Sequence, residues 1–267
     1  MSSSTLQPAS RSGLSALANP ARFLKFVGAV LPYLIGLTVL LMGVGLWMAF
    51  SVPDDYQQGR TVRIMYVHVP SVWMAMGAYV VMISGALGVL VWRHPLADVA
   101  ARAAAPIGAA FTFLGLATGS IWGRPMWGTY WVWDARLTSF LVLLIIYLGL
   151  MALWNAVEEP AKSARMAAVA ILVGAINIPI IRFSVEWFTT LHQGPSVIRQ
   201  GGPSLAPEFL QALLVMGLAF LLLFTTLHLM AMRNEIMRRQ IRTAQRKAAR
   251  SHQTGGKKMG STTSEAS

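Results

Sequence analysis

Six runs of mainly apolar residues, each close to the length of a membrane-spanning helix, limit what this chain can fold into. A helix crosses the hydrocarbon part of a bilayer in about 20 apolar residues. Backbone polar groups inside lipid must be satisfied within the segment itself, which favours helices over open strands. The runs cover residues 31–50, 71–92, 105–121, 137–154, 166–181 and 208–231. The sequence therefore predicts an all-α integral membrane protein with six transmembrane helices.

Composition agrees with the membrane class and leaves no separate soluble domain. The 267 residues are 55% hydrophobic and only 12% charged, a balance typical of membrane proteins. We predict a cytoplasmic tail at 1–30, a membrane domain at 31–231 and a basic cytoplasmic tail at 232–267, which continues the sixth helix briefly and is then disordered. Pro179 is expected to disturb the outer end of the fifth helix, because proline donates no backbone hydrogen bond.

The distribution of positive charge predicts the orientation of the helices. Most of the 22 Lys and Arg residues lie in the two tails and in the loops at 93–102 and 155–165. Because the cytoplasmic side of a membrane protein collects Lys and Arg, both termini are expected inside and the other three loops outside. The net charge of +12 is then a signal of topology, and no nucleic acid is expected as a partner.

A dense aromatic segment at 122–136 falls in one of the outer loops. Tryptophan and tyrosine are common at membrane surfaces, so a simple aromatic belt is one interpretation. The density of rings favours another, a surface for a large planar and partly charged ligand such as a porphyrin. The candidate binding residues of the segment are Trp122, Arg124, Trp127, Tyr130, Trp131, Trp133, Asp134 and Arg136.

The backbone geometry of this segment is left open by the sequence. A helix would place Trp127 and Trp131 on one face, whereas an extended chain would align Trp131 with Trp133. Either arrangement is expected to give a flat aromatic surface. Pro125 and the glycines beside it argue against a regular helix that begins before about Thr129.

The predicted topology sorts the histidines into two groups. His94, His228 and His252 fall on the cytoplasmic side, so that only His68 and His192 lie outside, on either side of the aromatic segment in the chain. His68 is expected to end the first outer loop just before a helix that starts at Pro70, since proline is favoured at the first helical position. The chain contains no cysteine, which leaves His or oxygen ligands for any metal.

Two neutral imidazoles beside an aromatic surface would suit six-coordinate haem iron. The propionates of haem are anionic, and Arg124 and Arg136 could hold them through charge-assisted hydrogen bonds. Histidines that only form hydrogen bonds and arginines that reach lipid headgroups are the alternative interpretation. Glu186 could orient a ligand, but its spacing favours an ion pair with Arg182, four residues earlier.

Three motifs resemble those of one known family. WGTYWVWDARLTS at 127–139 resembles the tryptophan-rich WWD signature of haem-handling proteins. YVHVPSVWMA around His68 and VEWFTTLHQGPS around His192 resemble the outer-loop histidine motifs of the CcmC family, haem exporter protein C, of bacterial cytochrome c maturation. The resemblance covers essentially the whole six-helix core and does not extend to the tails.

The resemblance implies a haem-binding protein of the bacterial inner membrane that is not an enzyme. Members of this family bind haem on the periplasmic side and pass it to a periplasmic haem chaperone. They work beside the ATPase and permease subunits of an ABC transporter and a small single-span membrane partner. Carried onto this chain, His68 and His192 become axial ligands of a transient haem b, and the aromatic residues with Asp134 become its platform.

Two other functions compete with haem delivery. A resident cytochrome b for electron transfer would also use two histidines, although its ligands usually lie on facing helices inside a bundle. A haem-free permease subunit would use the aromatic residues only as a belt. No GxxxxGK[ST] loop occurs in the chain, so ATP hydrolysis would have to come from a partner.

Overall fold

Seven α-helices and a short 3-10 helix make up the part of the chain that the structure describes. The computed structural model describes residues 19–194, 196–197 and 199–262, with side chains to 249 except that of Lys247. The α-helices are α1 Pro20–Ser51, α2 Met65–Leu90, α3 Ala97–Trp127, α4 Ala135–Ala156, α5 Pro160–Gly174, α6 Asn177–Trp187 and α7 Pro207–Thr262. The 3-10 helix, Arg60–Ile64, leads directly into α2. The predicted all-α fold is confirmed.

Six helical segments are long and apolar enough to cross a membrane. Five of them are α1, α2 with its 3-10 extension, α3, α4 and the part of α7 up to Arg246. The sixth is α5 together with α6, which the structure joins into one span of 28 residues. The number and order of the predicted spans are therefore confirmed within the described residues.

Two buried tyrosines join the central helices of the bundle. Tyr79 of α2 and Tyr147 of α4 are fully buried and meet edge to face, with ring centroids 5.6 Å apart. The Tyr79 hydroxyl donates to the Ile171 carbonyl of α5 at 2.9 Å, and the Tyr147 hydroxyl donates to the Ala75 carbonyl of α2 at 2.7 Å. Because an unpaired hydroxyl is costly in an apolar interior, these bonds fix how α2, α4 and α5 pack.

The fifth span is interrupted between α5 and α6. The break falls at Ala175 and Ile176, and Pro179 lies in the first turn of α6. A proline ring clashes with the carbonyl of the residue four positions earlier in a helix and cannot donate a hydrogen bond to it. For Pro179 that residue is Ala175. The amide of Asn177 crosses to α4 and donates to the Ser139 carbonyl at 2.9 Å. The expected disturbance is present, but it lies inside the span, because α6 continues as far as Trp187.

Two predicted helix starts were too late. Helix α1 begins at Pro20, within the segment assigned to the cytoplasmic tail, because the Asn19 side chain accepts from the Ala21 N–H at 2.9 Å and caps the helix. Helix α2 begins at Met65, because the 3-10 helix supplies its first turn. Pro70 therefore lies inside α2, and His68 belongs to a helix and not to a loop.

The last helix is longer than predicted. Beyond the membrane span, α7 stays helical through the segment that was expected to be disordered and ends at Thr262. The part of α7 that follows the apolar run is stabilised by an ion pair between Glu235 and Arg239, one turn later, at 2.8 Å. Residues 263–267 and the first 18 residues, which include the rest of both predicted tails, lie outside the described residues.

Candidate functional site

His68 is held against the last turns of α3 in a defined orientation. Its Nδ1 lies 3.0 Å from the Gly115 carbonyl oxygen and 3.2 Å from Thr118 Oγ1. A Cβ on Gly119 would come within 2.8 Å of the imidazole Cε1, so only glycine lets the ring approach this closely. Since the carbonyl can only accept, Nδ1 carries the proton, and the lone pair of Nε2 is left for a ligand.

His192 is oriented in the same way by a carboxylate. It lies in the loop after α6, and its Nδ1 is 3.0 Å from Asp134 Oδ2. The other carboxylate oxygen, Oδ1, accepts from the Leu137 N–H at 2.8 Å and caps α4. One buried side chain therefore starts a helix and sets a histidine tautomer in which Nε2 keeps its lone pair. Metal-binding histidines commonly show this arrangement, with the second ring nitrogen bonded to a carboxylate or a carbonyl.

The environment of His192 keeps its imidazole neutral. Burial lowers its pKa from the ordinary value of a histidine, against the hydrogen bond and the charge of Asp134, which raise it. A neutral imidazole is the form that binds a metal, because the protonated ring has no lone pair to donate.

Two tryptophans near the end of α3 each contact one of the two histidines. Trp122 meets the ring of His68 edge to face at 5.7 Å, and its Nε1 donates to Gln58 Oε1 at 3.1 Å. Trp127 meets the ring of His192 in the same manner at 4.7 Å. Helix α3 therefore carries the aromatic neighbours of both imidazoles, about one and a half turns apart.

The rest of the aromatic segment does not form the flat surface that was predicted. Helix α3 runs to Trp127 and ends at Gly128, whose φ of 76° glycine adopts without strain. Trp131 turns toward the core, while Trp133 is 75% exposed, and their rings stand at 77° to each other. The segment at 122–136 is thus part helix and part irregular chain, so neither single regular geometry was correct.

The two arginines of the segment bind protein groups in this structure. Arg124 donates to the Gly128 carbonyl and lies over the Tyr130 ring, 5.6 Å from its centroid. Arg136 is half-buried and donates from Nε to Ser184 Oγ of α6 at 3.2 Å. Both lie at the same end of the bundle as the histidines, and contact with haem propionates remains a prediction for them.

The remaining residues considered from the sequence, apart from His252, have partners of their own in the structure. Arg182 and Glu186 form the favoured pair at 3.4 Å, so Asp134, and not Glu186, orients His192. His228 bonds through Nε2 to the Ala100 carbonyl at 2.9 Å, near the opposite end of α3. His94 also lies at that end, where its Nδ1 accepts from the Leu96 N–H. The side chain of His252 lies outside the described residues.

Sequence reasoning missed the glycines and the glutamine that support the site. Gly115, Gly119 and Gly123 recur every four residues on one face of α3, a pattern that indicates close packing in membrane helices. That pattern could have predicted side chains packed closely on this face, and at Gly119 the structure shows that this side chain is His68. No sequence signal pointed to Gln58, which meets Trp122 across 64 positions of the chain.

The donor set of the site suits iron in a porphyrin better than a bare metal ion. Among the described residues, no group of three or more His, Cys, Asp or Glu side chains could hold a metal ion. Two imidazoles supply only two ligands, which is the number that haem iron accepts above and below its ring.

Comparisons with known proteins agree with the motifs. The family described as heme exporter protein C matches residues 13–247. The heme exporter protein C of Bradyrhizobium diazoefficiens is 65% identical over 229 residues, which cover 86% of this chain and 87% of the relative. The proteins of that name from Escherichia coli K12 and Paracoccus denitrificans are 47% and 43% identical over 225 residues, 84% of this chain and 91% and 93% of theirs.

Proposed function

The chain belongs to the haem exporter protein C family, and we propose that it binds haem between His68 and His192 and delivers it to an acceptor. The observation that supports this proposal is that both imidazoles have the same tautomer. Each is bonded through Nδ1 to a protein oxygen and keeps the Nε2 lone pair for iron. Haem is the cargo in this role, and the protein itself needs no catalytic group.

The aromatic residues supply the apolar part of the haem site. Trp122 and Trp127 flank the two imidazoles, so their rings would contact the edges of a porphyrin bound between them. The buried Nε1 of Trp131 has no hydrogen-bond partner among the described residues. This indole N–H is suited to a polar group of the cargo. The proposed haem site also includes Arg124, Arg136, Tyr130 and Trp133.

The two ligands are held with different strength, which suits a protein that must release its cargo. His68 lies within a membrane helix and packs against Gly119. His192 lies in a loop and is fixed mainly by Asp134. We infer that an acceptor displaces His192 first, because a loop can move away without disturbing helix packing.

We place the site on the periplasmic side of the bacterial inner membrane. The reason is the excess of Lys and Arg in the tails and in the loops at the opposite end of the bundle. The proposed partners are a periplasmic haem chaperone as acceptor, the ATPase and permease subunits of an ABC transporter, and a small single-span membrane protein. Any ATP hydrolysis would belong to the ATPase subunit.

Reporter fusions test this orientation. A reporter that is active only outside the cytoplasm should be active when fused after Gln58, Thr129 or Gly201. It should be inactive after Asp98 or Glu159, because these positions lie at the same end of the bundle as the basic C-terminal segment of α7. Activity after Glu159 together with silence after Thr129 would reverse the orientation.

Haem content and haem transfer test the function itself. The protein purified in detergent should carry low-spin, six-coordinate haem, and this spectrum should pass to a purified haem chaperone on mixing. A protein without haem would support the permease function. Haem that stays bound in the presence of the acceptor would support a resident cytochrome.

A further inference from the structure

A groove with a charged rim lies at the end of the bundle opposite to His68. Helices α4 and α7 flank the first turns of α3 and leave a cavity of about 420 Å³ between them. Its apolar lining consists of Ala103, Pro106, Met151, Trp154 and Ala231. Its polar lining consists of Arg102, Asn155, Asn234, Glu235 and Arg238. The groove shares no residue with the proposed haem site.

The rim of the groove carries a net positive charge. Two arginines, Arg102 and Arg238, face one carboxylate, Glu235. Glu235 is paired with Arg238 and lies 3.8 Å from Arg102. Arg102 also donates to Asn155 Oδ1 at 3.2 Å. An arginine has five N–H donors, so these contacts leave donors on both guanidinium groups for an anion.

The charges beside the groove, Asp98 and Arg239, neutralise each other. They therefore leave the net positive charge of the rim unchanged. Asp98, one turn before Arg102 on α3, is bonded to Arg239 of α7. The same carboxylate accepts from the Trp154 Nε1 at 3.1 Å. This arrangement holds the three helices around the groove and leaves one positive charge in excess at its rim, from Arg102 and Arg238 against Glu235.

We propose that this groove binds an anionic phospholipid. Its phosphate would accept hydrogen bonds from Arg102 and Arg238, and part of its acyl chains would lie against Pro106 and Met151. Guanidinium groups are suited to phosphate because two of their N–H groups can bind two oxygens at once. Basic pockets between membrane helices bind lipid headgroups by this chemistry.

The position of the groove favours a lipid over free phosphate. Helix α4 ends at Ala156, so Trp154 and Asn155 lie at the end of a membrane span, at the depth of headgroups. The apolar half of the lining would stay in contact with water if only an inorganic anion were bound. A phospholipid covers both halves at once.

The test uses full-length protein in mixed micelles, with thermal unfolding as the measurement. Phosphatidylglycerol should raise the unfolding midpoint more than the same amount of neutral phosphatidylcholine, because a ligand of the folded state stabilises it. Inorganic phosphate alone should not reproduce the shift. Equal shifts with both lipids, or a full shift with inorganic phosphate, would contradict the proposal.

Three variants locate the effect. Arg238→Gln should lose the extra shift with phosphatidylglycerol. Arg242→Gln makes the same change of charge one turn later on α7, at an exposed position outside the groove lining, and should keep it. Ala231→Leu narrows the groove without changing charge and should also lose the shift, which keeps the test valid if Arg238→Gln folds poorly. Retention of the full shift in Ala231→Leu, or its loss in Arg242→Gln, would overturn the assignment.

Discussion

Replacement of either His68 or His192 by alanine is expected to remove the six-coordinate haem spectrum. Each change deletes one of the two Nε2 donors proposed as iron ligands and should leave five-coordinate, weakly held haem. Added imidazole fits the space of the lost side chain and should restore the low-spin spectrum. Absorption spectra of the purified variants, with and without imidazole, provide the measurement.

Matched controls for this experiment lie at the other end of the bundle. His228→Ala removes a half-buried imidazole that bonds to the Ala100 carbonyl, and His94→Ala removes one from the loop before α3. Both variants should keep the six-coordinate spectrum. If His228→Ala lost it while His192→Ala kept it, the ligands would lie within the bundle, and the resident-cytochrome function would replace haem delivery.

Replacement of Asp134 by asparagine should weaken haem binding without preventing the fold. Asparagine caps a helix as well as aspartate does, so the start of α4 should survive. The amide N–H₂ can instead donate to Nδ1 of His192 and move the imidazole proton to Nε2, the nitrogen proposed for iron. Loss of such a supporting bond costs about 10–100-fold in affinity at metal sites, which haem titration of the stripped protein would measure.

Glu186 offers the matched control for Asp134. It is the carboxylate that the sequence left open as an alternative partner, and it pairs with the exposed Arg182. Glu186→Gln should bind haem as the unchanged protein does. An equal loss in both variants would mean that general negative charge, and not the bond to His192, supports the site.

The apolar runs predicted the membrane fold correctly and predicted the ends of the helices poorly. Hydropathy reports which residues tolerate lipid, and six such runs become six spans. It does not report where a helix continues into water. The Asn19 cap and the Glu235–Arg239 pair extend α1 and α7 beyond their apolar parts, and neither feature changes the mean hydropathy of a run.

The candidate site was predictable as a set of residues and not as an arrangement. The topology grouped His68 and His192 on one side, and the structure brings both to the end of α3. The contact of Asp134 with His192 spans 58 positions of the chain, which no local pattern encodes. The flat aromatic surface failed because Gly128 ends α3 within the motif and turns the following rings apart. Their roles in binding haem stay predictions.

Each imidazole takes its orientation from a segment other than its own, His68 from α3 and His192 from the start of α4. In a chain whose α2 has not yet packed on α3, Nδ1 of His68 would lack its hydrogen-bond partner. In a chain whose α4 has not formed, Asp134 would not be positioned to orient His192. If His68 and His192 bind haem as proposed, such a chain could not hold it with two ligands. Haem loading would then report that the bundle is completely assembled, because only the packed helices direct both ring nitrogens correctly.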